Sequence, residues 1–225
     1  MIRAVTFDCF GTLIDWRAGQ LRVLEQLPSL RGQEDLLDEV LAARGPFERQ
    51  LEAGSWRRYE EILAESVGMA CRRVCGVELT GTEKRAFAAG QLGWPAFADT
   101  VAGLEALAAR LPIGLLSNCD DLTLRLCAHK HLRAPVALFV SAEQVRSYKP
   151  ASKHWGAALA ALGLEPAEIL HVSFATEYDL VPAAALGFPL GFLRRYGAAE
   201  PRDLEFAYRA DDLPGLVAAV LADLD

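Results

Sequence analysis

A carboxylate, a hydroxyl, an ammonium and a second carboxylate occur along this chain in a recurrent setting, where an apolar run ends or a helical stretch begins. Asp8-Cys9-Phe10-Gly11-Thr12-Leu13 follows the apolar run 4–7, and Ser117-Asn118 follows 113–116. Ser147-Tyr148-Lys149-Pro150 precedes a helical period, and Thr176-Glu177-Tyr178-Asp179 follows the run 169–172. An ionised carboxylate held at attack distance is a usable nucleophile. An ammonium within ~4 Å of it would favour the ionised form by about 4 kcal/mol at an effective dielectric near 20, before desolvation is subtracted. Gly11 allows a tight turn directly behind Asp8. Taken singly, each residue has a plainer reading: Asp8 caps a turn, Ser117 satisfies a loop amide, Lys149 is a solvated charge. Their joint occurrence in this order favours chemistry.

The elements that must position them follow from periodicity. The runs 4–7, 113–116, 138–140, 169–172 and 190–193 read as short buried strands. Between them Val101, Leu104, Leu107 and Leu111 recur at helical spacing after Asp99 and Thr100, which can cap. Trp155, Leu159 and Leu162 do so before Gly163, and Leu213, Leu216, Val217, Val220 and Leu224 form a further amphipathic helix. Strands alternating with helices predict an α/β fold with a parallel sheet covered on both faces. Residues 16–95 differ: Leu36, Leu37, Val40 and Leu41 mark one helix, and Tyr59, Ile62, Leu63, Ser66 and Val67 another, without a strand. The expected organisation is therefore a core of residues 1–15 and 96–225 with a helical cap, 16–95, inserted after the first strand, over the sheet edge where such folds bind ligands.

Composition narrows the function. A formal net charge of −7 disfavours nucleic acid or an anionic membrane as the main partner. The N-terminal run lacks an apolar segment of signal-peptide length, and the C-terminal apolar stretch is too short to span a bilayer. Five cysteines without metal-ligand spacing fit a reducing, cytoplasmic setting. Cys71 and Cys75, one helical turn apart, read as small hydrophobes.

Strand–Asp-x-x-Gly-Thr-Leu, strand–Ser-Asn, Lys-Pro before a helix, and strand–Asp179 followed by Ala-Leu-Gly187 resemble the four ordered motifs of the haloacid dehalogenase (HAD) superfamily. The resemblance covers nearly the whole chain. It implies a Rossmann-like core with strand one in mid-sheet, Asp8 as nucleophile, and Lys149 neutralising the site. It also implies that Thr12 and Ser117 hold the substrate's anionic group or orient Asp8.

Two departures from the superfamily's phosphatases point to a subclass. Phosphatases place a second Asp two residues after the nucleophile, as acid for a departing alkoxide; here that position is Phe10. A halide, a weak base, leaves without protonation. Phosphatases also carry a metal-binding Asp five residues before Asp179, where this chain has Phe174. A phenyl ring gives magnesium no oxygen ligand. Dehalogenases of the superfamily carry an aromatic at the first of these positions and use no metal. Their last motif often holds Ser and Asn to position water, a fit that residues 174–178 follow only loosely, with Thr176 or Tyr178 left to orient water and Asp179 to act as base. A cap arginine usually holds the substrate carboxylate; Arg44 and Arg49 are the candidates, and the sequence does not choose between them. Trp16, Phe47, Trp56 and Tyr59 wall an apolar pocket or pack the core.

The sequence therefore predicts a cofactor-free, metal-free 2-haloacid dehalogenase. Its catalytic residues would be Asp8, Lys149 and Asp179, with Phe10, Thr12, Ser117, Asn118, Arg44, Arg49 and Thr176 around the substrate. The expected partner is a small anionic substrate, with no nucleic acid and no membrane, and with a homodimer left open. Two rivals stay open. One is a magnesium-dependent phosphatase in which Asp120, Asp121 or Glu177 replaces the lost ligands; the other is a catalytically silent binding protein.

Overall fold

The computed structural model describes residues 1–224. Its strands form one six-stranded sheet in the order β3-β2-β1-β4-β5-β6. They are β1 (Ala4–Phe7), β2 (Ile113–Ser117), β3 (Leu138–Ser141), β4 (Ile169–Ser173), β5 (Leu190–Leu193) and β6 (Tyr208–Ala210). Every neighbouring pair is parallel. β1, β2, β4 and β5 are buried along their whole length, as expected of parallel strands covered on both faces. The order reverses beside β1, which places the ends of β1 and β4 at the point where open α/β sheets bind ligands.

The chain divides into two compact units, Met1–Asp15 with Ala96–Asp225, and Trp16–Pro95. The first holds the sheet and the helices that pack on it. The second holds α1 (Trp16–Leu24), α2 (Leu37–Glu52), α3 (Tyr59–Cys75) and α4 (Gly81–Ala89). α3 buries Ile62, Leu63, Val67, Ala70 and Cys71 along one stripe. Thr80 and Glu83 form a reciprocal capping box at the start of α4, and Glu83 also accepts the backbone and hydroxyl of Ser29 at 2.8 and 2.9 Å.

The sheet unit carries α5 (Thr100–Ala108), α6 (Asp121–Cys127), α7 (Ala142–Val145), α8 (Lys153–Leu162), α9 (Val181–Ala185) and α10 (Leu213–Ala222). Trp155, Ala158, Leu180, Ala183 and Phe188 pack with Ala4, Leu116, Val140, Ile169, Leu190 and Phe192 of the strands to form its core. Gly163 ends α8 in the left-handed conformation at φ 63°, which favours glycine.

Local expectations need correction at helix ends, among them Leu224, which lies beyond α10 because that helix stops at Ala222. Asp99 makes no capping bond to α5, because its carboxylate is engaged by Arg195 and the Leu213 amide. Leu111 lies beyond the helix, which stops at Ala108. Among the described residues no helix is long and apolar enough to cross a membrane.

Candidate active site

β1 delivers Asp8. The chain leaves the strand, turns at Gly11 with φ 101°, and brings Thr12 back over the carboxylate. Two amides close that turn, Gly11 N to Ile14 O at 2.7 Å and Leu13 N to Cys9 O at 2.9 Å. The Thr12 hydroxyl donates to Oδ2 of Asp8 at 2.9 Å and accepts the Phe174 amide at 3.3 Å. One threonine thus ties the loop after β1 to the loop after β4.

Lys149 supplies the charge. Its side chain has no exposed surface, and its ammonium donates to three partners: Oδ1 of Asp8 at 2.9 Å, the Leu116 carbonyl at 2.9 Å and Asp179 at 2.8 and 3.0 Å. Three acceptor groups match the three protons of an ammonium. Asn118 fixes the backbone behind it, accepting the Lys149 amide at 2.7 Å and donating to the Lys149 carbonyl at 3.1 Å. Asn118 therefore reaches the site through Lys149, with both ends of its amide engaged.

Charge is unevenly shared in this buried set. Asp8 and Asp179 flank one cation, so the three side chains sum to one negative charge. Burial pushes the Asp8 carboxyl up to about 6, Lys149 opposes the rise, and Asp179 adds to it. For Asp179 burial acts upward too, but Lys149 and His171 outweigh it and hold its carboxyl below the usual range. Burial would lower Lys149, yet the two carboxylates raise it above an ordinary lysine. Near neutral pH the set therefore holds Lys149 charged, Asp179 ionised, and Asp8 as the group that titrates.

The other expected residues are placed as follows. Ser117 is buried at the end of β2. Phe10 and Phe174 are half-buried, and neither offers an oxygen. Thr176 opens the π-helical turn Thr176–Leu180 and is half-buried, while the Tyr178 ring centre lies 5.7 Å from the Lys149 ammonium. In the helical unit Arg44 is 4% exposed and pairs with Glu48 at 2.9 Å, with Ser66 at 3.4 Å. Arg49 is exposed. Tyr59 is buried and donates to Glu48, whereas Trp16, Phe47 and Trp56 are half-buried. Of the residues proposed as substitute metal ligands, Asp120 is buried, Asp121 pairs with Arg125 at 3.0 Å and Glu177 is exposed. No group of three or more His, Cys, Asp or Glu side chains among the described residues is arranged to hold a metal ion.

Three contributors escaped the sequence reading. His171, within β4, lies 3.0 Å from Oδ1 of Asp179. His154 sets Nε2 3.2 Å from the Ser117 carbonyl; burial first, then Lys149, pushes its pKa down to about 3, so the ring is neutral. Arg195 forms a two-point pair with Asp99 at 2.8 and 2.9 Å and donates Nε to the Thr12 carbonyl at 3.0 Å. Its guanidinium also lies 4.1 Å from the Phe97 ring centre. For His171 and Arg195 the available signal was a polar residue standing inside, or just after, an otherwise apolar strand; His154, in the first turn of α8, gave no such signal.

The family model of haloacid dehalogenase-like hydrolases matches residues 2–187. An (S)-2-haloacid dehalogenase of Pseudomonas putida is 25% identical over 207 residues, covering 88% of this chain and 87% of the relative. The crystal structure of an L-2-haloacid dehalogenase superposes with a TM-score of 0.78 at 26% identity, covering 99% of this chain and 100% of the other. The L-2-haloacid dehalogenase of Xanthobacter autotrophicus gives a TM-score of 0.83 at 19% identity over 98% and 99% of the two chains, a likeness of fold.

Proposed function

From the premise that the chain belongs to the haloacid dehalogenase-like hydrolases, we propose that it is a metal-independent 2-haloacid dehalogenase acting through Asp8. The observation that carries the reading is the closed set Asp8–Lys149–Asp179, with a phenyl ring rather than an acid at position 10. The relatives of similar length that are named (S)-2- or L-2-haloacid dehalogenases support the substrate class.

In the first half of the reaction Asp8 attacks the carbon bearing the halogen. A carbon–oxygen bond forms, the carbon–halogen bond breaks, and the halide leaves with the bonding pair. No proton is needed, which suits a site where Phe10 cannot supply one. In the second half water attacks the carbonyl carbon of the Asp8 ester, giving up a proton to Asp179. The bond from that carbon to the ester oxygen then breaks, and the departing alkoxide takes the proton from Asp179 to become a 2-hydroxy acid. Asp8, left as the acid, loses its proton to solvent and is ionised again. Lys149 counters charge throughout, and Thr12 orients the nucleophile by its 2.9 Å bond to Oδ2.

The donor set does not suit magnesium. The Lys149 ammonium lies within hydrogen-bond distance of both carboxylates, in the place where a cation shared by Asp8 and Asp179 would compete with it. The side chains at positions 10 and 174 supply no oxygen ligand. For the substrate carboxylate the helical unit offers Arg44 and Arg49. The charge of Arg44 is met by Glu48, whereas Arg49 is exposed, and the KM of the two alanine variants would choose between them.

Halide release from short 2-haloalkanoates, set against phosphate release from small phosphate esters, tests the reading. Phosphate release without halide release would replace it with the phosphatase. Binding of a haloacid without release of either product would replace it with the silent binding protein.

A further inference from the structure

We propose that His171 is a positioning residue for ester hydrolysis: it donates Nε2–H to Oδ1 of Asp179 and leaves Oδ2 as the oxygen that takes the proton from water. The inference rests on the assignment of Asp179 as the base.

His171 pairs in register with Thr6 across β4 and β1, with its ring inside the sheet unit and no exposed surface. Nε2 lies 3.0 Å from Oδ1 of Asp179 and Nδ1 lies 3.0 Å from the Thr6 hydroxyl. The Trp155 ring of α8 closes the remaining side, 5.6 Å away in an edge-on arrangement. The charged groups acting on the ring are Asp179 and Lys149, with His154 the other titratable group nearby.

Hydrogen-bond accounting fixes the tautomer. An ionised carboxylate only accepts, so Nε2 must carry the proton that faces Asp179. Nδ1 of a neutral ring is then an acceptor, and Thr6 is the donor that fills it. The competing acceptor for Thr6, the Leu170 carbonyl, lies farther away at 3.5 Å. Burial lowers the pKa of His171, with Lys149 acting in the same direction and Asp179 against it, which keeps the ring neutral near pH 7.

The same accounting distinguishes the two oxygens of Asp179. Oδ1 receives Lys149 at 2.8 Å and His171 at 3.0 Å, which occupies both lone-pair directions. Among the described residues Oδ2 receives only Lys149, at 3.0 Å, and retains one. Without His171 the carboxylate could swing part-way about its last torsion, and the free lone pair of the base would lose its fixed direction. Since Asp179 acts only in the second half-reaction, the loss should appear there alone.

Two measurements test this. The first needs no turnover: ring ¹⁵N shifts of His171 in the resting protein should report a neutral Nε2–H tautomer between about pH 7 and 8. An Nδ1–H tautomer would overturn the proposal. The second uses His171→Phe, which keeps a ring of similar size but removes the donor. With a 2-haloalkanoate it should release a burst of halide equal to the enzyme, then turn over about tenfold more slowly than wild type while the Asp8 ester accumulates. His171→Gln, which retains an N–H, should recover part of the loss. Equal slowing of burst and steady phases would mean that His171 only packs the sheet. If His171→Phe does not fold, or if the wild type releases no halide, the tautomer still tests the hydrogen bond from Nε2 to Asp179 without which the proposal fails. The second of those results would count against the dehalogenase reading separately.

Discussion

The ammonium of Lys149 lies 2.8 Å from Oδ1 of Asp179 and 3.0 Å from Oδ2, so one cation straddles the carboxylate while also holding Asp8. Both side chains are fully buried. This arrangement makes Lys149 an internal charge, not the solvated residue that a loop position before a proline could equally have held.

Lys149→Met removes that charge from between two carboxylates. Breaking a buried pair from one side costs about 3–5 kcal/mol, because it leaves charge uncompensated. Asp8 limits the loss by taking a proton, since burial already holds its pKa at about 6. A protonated Asp8 is not a nucleophile, so turnover should fall by about a thousandfold or more. The variant should also be less destabilised below pH 6 than at pH 8, where Asp8 ionises with no cation beside it. Thermal melting at both pH values and steady-state halide release check this; near-normal turnover would mean that Lys149 has been misassigned.

The titration of Asp8 also sets a pH limit on the wild type. Its pKa of about 6 lies above that of an ordinary carboxylate, so the reactive ionised form is lost as pH falls through 6. kcat/KM should be flat above that value and drop about tenfold per unit below it. Asp179, held below the usual range, stays ionised through the same window. An acidic limb displaced to pH 4 would show that Lys149 dominates over burial at Asp8.

Chelation separates the dehalogenase from its nearest rival. With phenyl rings at 10 and 174 and an ammonium beside both carboxylates, turnover should survive excess EDTA unchanged. Loss of activity that magnesium restores would promote the phosphatase.

What the sequence disclosed depends on how local each signal is. β1, β2, β4 and β5 are buried on both faces and read as apolar runs with abrupt polar ends, so Asp8 and Ser117 stood out at those ends and Asp179 in the turn that follows β4. β6 escaped because Tyr208-Arg209-Ala210 is a half-exposed edge strand with neither an apolar run nor a clean alternation. Asp99 looked like a helix cap, since Asp is a good one, but its partner Arg195 lies 96 residues away and no local pattern reveals it. His171 was hidden for the opposite reason. The run Ile-Leu-His-Val-Ser reads as a strand whatever its third residue does, yet a titratable ring in a wholly buried strand must find partners, and here they are Thr6 and Asp179.

The nucleophile itself is open to a direct test. If Asp8 forms an ester, the oxygen that enters the product in the first turnover comes from its carboxylate. Solvent oxygen enters Asp8 when water attacks the ester carbonyl, and it reaches the product only in later cycles. The geometry favours this course: Asp8 is 3% exposed, tied by Thr12 on one oxygen and by Lys149 on the other, so its carboxylate is held in one orientation. A single turnover in ¹⁸O-water, with enzyme in excess over a 2-haloalkanoate, should therefore give an unlabelled product hydroxyl and a heavy Asp8 peptide. In later turnovers the label should appear in the product. A labelled hydroxyl beside an unlabelled peptide in the first turnover would mean that water attacks carbon directly and that Asp8 is its base. Membership of the family would stand in that case, and the covalent route would not.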